Sequence, residues 1–204
     1  MKKILLLIPL ALLLAGCLQL EQTIALKKDG SAIVTMIYAI PEKYLPPMTA
    51  AHQAIATWQQ QDKETNWFMN QQAVKDFFNR PEYGVSLLVY KQYNKDSHVY
   101  TEIVVHAKHA QKACEQGFFG QVSMDQHSLT VQTPKDLDDM PAKQIHELRK
   151  LCGNMTLALE VITPQTITRT NGLKRAENKA FWKLSADGRG MDVFGKLDDL
   201  KVTW

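Results

Sequence analysis

LQLEQTIALKKDGSAIVTMIYAI (residues 18–40) decides the fold of this chain. Leu18, Leu20, Ile24 and Leu26 alternate with polar or small residues at a period of two, the pattern of a strand with one buried face. Lys28-Asp29-Gly30-Ser31 then supplies an Asp-Gly turn, and the β-prone run from Ala32 to Ile40 returns beside the first strand. The stretch therefore predicts a hairpin, and the chain beyond it repeats the device. GVSLLVYKQY and HVYTEIVVHAKH flank Asn94 to Ser97 as a second hairpin, with Val99, Thr101, Ile103, Val105 and Ala107 on the face expected to pack on helices. A third, shorter hairpin is predicted in QVSMDQHSLTVQT, around Asp125 to Ser128.

Helical spacing appears between the hairpins. Pro41, Pro46 and Pro47 end the strand pattern, after which Met48, Ala51, Ile55 and Trp58 fall on one helical face. Ala73, Val74, Phe77 and Phe78 predict a second short helix stopping near Arg80-Pro81. QKACEQG reads as one or two helical turns ending at Gly117. Ile145, Leu148, Leu151 and Cys152 form a helical stripe before Gly153. NMTLALEVI predicts a central strand, Asn171-Gly172 a turn and NKAFWKL the following strand. Residues 191 to 197 read as a helical turn, and LKVTW as the strand that closes the sheet. The expected fold is α+β: a single domain of antiparallel β-hairpins forming a curved sheet, with several short helices packed on it.

Upstream of the first hairpin stands MKKILLLIPLALLLAGC. Lys2 and Lys3 precede an apolar run from Ile4 to Leu14, and the small residues Ala15 and Gly16 stand before Cys17, as in an export signal. Eleven apolar residues span about 16 Å as a helix, roughly half a bilayer core, too short for a permanent span. Leu-Ala-Gly-Cys resembles the lipobox of bacterial lipoproteins. The resemblance implies residues 1–16 as a signal peptide, fatty acylation of Cys17 with chains such as palmitate, and residues 17–204 as an extracytoplasmic domain anchored there. The alternative is an ordinary secretory signal with a chance cysteine. Leu18 follows the anchor where aspartate would favour inner-membrane retention, so resemblance points to the outer membrane, facing the periplasm, in a two-membrane cell.

Losing residues 1–16 removes two of 24 basic residues and none of 21 acidic ones, so the formal charge falls from +3 to +1. The basic character belongs partly to the signal, and no basic stripe suggests a nucleic-acid partner. Two cysteines remain, Cys114 and Cys152, in a chain expected to meet an oxidising compartment. A disulfide is expected between them, against the alternative of two unpaired thiols. Closing a loop of about 39 residues would restrict the unfolded chain by roughly 4 kcal/mol.

No catalytic, cofactor or metal motif emerges. His106 and His109 are three apart, on opposite sides if the strand continues, and Asp136, Asp138 and Asp139 lack the glycine and distal glutamate of a calcium loop. There is no GxSxG elbow, phosphate loop or HExxH. No enzyme activity, metal or cofactor is expected; a hydrolase reading would need His98, His106 or His127 in one cleft. Phe118-Phe119, bracketed by Gly117 and Gly120, is the candidate ligand or membrane contact: an apolar loop that gates a pocket, or one that plugs the core.

GCLQLEQTIALKKDGSAIVTMIYAI near the start and ITPQTITRTNGLKRAENKAFWKL toward the end resemble the LppM-domain family of envelope lipoproteins. The resemblance implies a non-enzymatic, envelope-facing α+β domain for which lipid or glycolipid binding has been proposed. The resulting expectation is a membrane-anchored binding module for an apolar or amphipathic, lipid-like ligand, held in a closed apolar cavity. The competing expectation is a structural or assembly partner of an envelope protein complex, with a filled core and an exposed sheet edge or apolar patch.

Overall fold

The computed structural model describes residues 19–45, 67–133, 141–193 and 195–204. The expected signal peptide, the expected anchor at Cys17, the helix expected over Met48 to Trp58 and the aspartates at 136, 138 and 139 lie outside them.

The opening hairpin forms as its alternation dictates. β1 (Gln19–Leu26) and β2 (Ala32–Pro41) pair antiparallel from Gln19↔Ala39 to Leu26↔Ala32. Between them Gly30 takes φ 81°, a left-handed conformation that glycine adopts without a Cβ penalty. Asp29 locks the turn, its carboxylate accepting from the Ser31 amide at 3.0 Å and the Ser31 hydroxyl at 2.7 Å. The second hairpin, β3 (Val85–Lys95) and β4 (His98–Ala107), turns at Asp96 and Ser97, both left-handed, and β4 pairs with β2. The third is β5 (Val122–Met124) with β6 (Ser128–Val131). Helices α1 (Gln71–Phe78), α2 (Ala110–Glu115) and α3 (Ala142–Cys152) fall where the spacing predicts. Asn70 caps α1 by accepting from the Gln72 and Ala73 amides.

After α3 come β7 (Thr156–Ile162), β8 (Arg169–Thr170), β9 (Leu173–Ala176), β10 (Lys179–Ser185), β11 (Met191–Asp192) and β12 (Leu200–Thr203). The main sheet runs β11-β10-β7-β1-β2-β4-β3, with β9 also on β10. A second sheet runs β5-β6-β12-β8. The fold is α+β and a single domain, but it departs from an all-antiparallel arrangement. β7 is central as expected, yet it pairs parallel to β1, as β11 does to β10. Residues 191 and 192 are strand rather than helical turn, and LKVTW closes the second sheet rather than the main one.

One core joins both sheets to α1 and α2. Across the inner face, the register sets Val105 beside Val34, Val34 beside Ile24, Ile24 beside Val161 and Val161 beside Ala180. All five are fully buried, so the period-two pattern of each strand is satisfied on the same side. Trp182 ties the sheets together. Its indole Nε1 donates to Asn171 Oδ1 at 3.1 Å, and that same oxygen accepts the Lys201 amide of β12 at 2.8 Å.

The register also defines two poles of the main sheet. Gln19, Pro41, the β3–β4 turn and the start of β7 share one end. The β1–β2 turn, the end of β4 and the end of β7 share the other.

Candidate functional site

The second pole carries an open groove of about 1040 Å³. Five separate pieces of chain build it: the β1–β2 turn, α2, the β5–β6 turn, Pro164-Gln165 after β7, and Trp204. Backbone bonds hold the walls in place. The Ala110 amide donates to the Gly30 carbonyl at 2.9 Å, joining α2 to the first turn, and the Trp204 amide donates to the His127 carbonyl at 2.9 Å.

Leu26, Ala110 and Trp204, all buried, give the groove an apolar base, to which Met124 adds a partly buried thioether. Its rim is polar: Lys27, Lys28, His109, Gln116, Gln126 and Gln165. The acids near the rim are engaged in holding the walls. Asp125 accepts from the His127 and Ser128 amides and the Ser128 hydroxyl, and that hydroxyl bond chiefly holds its carboxyl below the usual range. Glu115 accepts from Gln111 at 3.2 Å. Lys112 turns outward, donating to the Glu82 carbonyl at 3.3 Å above the Tyr83 ring. An apolar base with an amide and cation rim suits an amphipathic molecule that keeps its polar end in water. The lipid-ligand reading expected a closed apolar cavity; this volume is open and mixed in character.

Phe118 and Phe119 are both buried, at 8% and 4% exposure, so in this structure they plug the core and offer no contact surface. Their turn is closed by backbone bonds from the Gly117 amide to Cys114 and the Phe118 amide to Ala113, with Gly117 and Gly120 left-handed. Phe118 packs edge-on to Phe77 at 5.6 Å and against Tyr83 at 5.7 Å. Two aromatic side chains gain more by leaving water for this cluster than by waiting at a gate.

Cys114 is a free, buried cysteine near the end of α2, and burial pushes its thiol up to about 11. The expected bridge to Cys152, the last residue of α3, therefore has no support in the structure. His98 begins β4, while His106 lies eight positions along, about 26 Å away, and His127 sits in the β5–β6 turn. The structure does not gather the three histidines the hydrolase reading needed. Among the described residues, no group of three His, Cys, Asp or Glu side chains is placed to hold a metal. Among the same residues, no helix is long and apolar enough to cross a membrane.

The Lys28-Asp29-Gly30-Ser31 turn and the QKACEQG helix are each legible locally, but that both elements border one groove is not. No local signal marks a site drawn from segments as distant as Leu26 and Trp204.

No protein-family profile and no curated protein matches this chain. Among solved structures it is similar to the folded domain of LppM from Mycobacterium tuberculosis, determined by NMR. The identity is 12% over 92% of this chain and 89% of that one, with a TM-score of 0.47.

Proposed function

We propose that the chain is an envelope lipoprotein, anchored through acylated Cys17, whose folded domain is a non-enzymatic binding module for an amphipathic ligand. The anchor reading rests on the lipobox-like LAGC. The binding reading rests on one observation, the groove of about 1040 Å³ with an apolar base and a cationic and amide rim. A polar or acidic head would meet Lys27 and Lys28 while an apolar portion lies along Leu26 and Trp204.

The test is native mass spectrometry of residues 18–204, exported behind a non-lipidating signal, with and without Gln111→Trp to fill the groove. The expected result is a co-purifying small molecule of defined mass that is lost in the variant. No bound molecule, or one retained after the groove is filled, overturns the binding reading.

A second reading, an assembly partner, draws on a different surface. Phe77, Leu88 and Val89 are 42%, 55% and 40% exposed where α1 meets β3, the terminal strand of the main sheet. Capture of an envelope protein by photocrosslinking at Leu88 in cells, with no ligand in the groove, would favour it.

A further inference from the structure

The position of the anchor along the chain fixes which pole can reach a membrane. Only Leu18 separates Cys17 from Gln19, the first residue of β1. Two residue steps reach at most about 7 Å, so Gln19 stays within that distance of an acylated Cys17. The register then carries neighbours to the same level. Gln19 pairs with Ala39 and Thr156, and Pro41 pairs with His98 at the β3–β4 turn. Gln19, Glu42, Lys43, Ser97, His98 and Asn154 line one recess at this pole. The groove lies at the other end of β1, beyond Leu26, and seven strand rises place that residue about 23 Å from Gln19.

We propose that the domain rests on the bilayer with the Gln19 pole against the headgroups, so that the groove opens away from the membrane into the aqueous space. This inference rests on the Cys17 anchor of the proposed function. It deepens that function by identifying the source of the ligand: a molecule arriving through water or carried by a soluble partner, not one sliding in from the supporting leaflet. The short tether and the acyl chains set the orientation, and charge contributes little. Near the recess, Glu42 and Asp96 offset Lys43 and Lys95, all exposed, so no basic patch selects anionic lipid.

The test uses the full lipidated chain in vesicles of phosphatidylethanolamine and phosphatidylglycerol doped with a headgroup-nitroxide lipid. Single fluorophores are placed at Lys95→Cys and at Lys28→Cys, both exposed, in a background lacking Cys114 and Cys152. The label at 95 is expected to be quenched several-fold more than that at 28, with no change when phosphatidylglycerol is omitted. Equal quenching, or stronger quenching at 28, on chains that float with the vesicles overturns the orientation and leaves the anchor standing. Chains that do not float overturn both. Amide exchange on the unsubstituted lipidated chain provides an independent check. Protection on vesicles should rise at residues 42–43 and 95–98 and stay unchanged at 27–30; the opposite pattern overturns the proposal.

Discussion

Gly172 shows how one residue can serve two sheets. A Cβ built at this position would lie 2.7 Å from Trp182 Nε1, closer than packed atoms tolerate, so the Asn171-Gly172 turn needs glycine for space. Gly172→Ala should therefore push the indole off Asn171 and loosen the joint between β10 and β12. The expected cost is about 2 kcal/mol, read as a lowered urea midpoint, whereas an unchanged midpoint would show that the ring has room to move. Cys114 gives a second residue-level prediction. Its buried thiol should resist alkylation in the folded chain at neutral pH and react once the chain is unfolded without reductant. A thiol still blocked after unfolding would support the expected disulfide. The same burial gives a pH dependence. Cys114 is raised from 9 to about 11, and Tyr38, stacked on Phe68 at 4.5 Å, from 10 to about 12. Both groups favour the folded state fully below their ordinary values, and that contribution is lost as pH rises through the raised ones. Stability should thus decline from about pH 9 upward, and Tyr38→Phe should remove part of the decline. An identical alkaline profile in the variant would exclude the tyrosine as a cause.

Among the elements, the turn between β3 and β4 stores the most evident strain. Asp96 and Ser97 hold φ of 49° and 58°, the twist a two-residue hairpin demands, without the glycine that adopts it freely. Ser97→Gly should raise stability by about 1 kcal/mol in denaturant melts, and a loss of stability would mean that the serine side chain supports the turn. The elements most legible in the sequence are those whose signal is local. Alternation from Leu20 to Leu26 identified β1, Val99 to Ala107 gave the buried face of β4, and Val74 with Phe78 gave the buried face of α1. Met191 and Asp192 read as helical in the sequence because their strand character comes from a parallel partner, Leu184–Ser185, rather than from alternation in so short a run. Phe118 and Phe119 posed a different problem. Two flanking glycines suit both a mobile gate and a tight core plug, and the packing against Phe77 and Tyr83 separates the two.

For the whole molecule, the long-range pairings carry what the sequence could not show. β1 beside β7 joins residues 19–25 to 156–162, and β12 beside β6 and β8 builds the second sheet. Hairpin logic pairs neighbours in the chain and is blind to both. Those pairings place β1 inside the main sheet, so that the strand beginning at Gln19 runs straight through the core to the groove. The arrangement gives the groove a fixed height above any surface that holds Cys17, and the functional account depends on that anchor. The most direct measurement is intact mass spectrometry of the native chain purified from membranes, beside a Cys17→Ala variant. The account predicts a chain beginning at Cys17 whose excess mass matches a diacylglyceryl group with or without a further acyl chain, and a variant that lacks this mass. An unacylated chain, or one cut elsewhere and recovered in the soluble fraction, would contradict it.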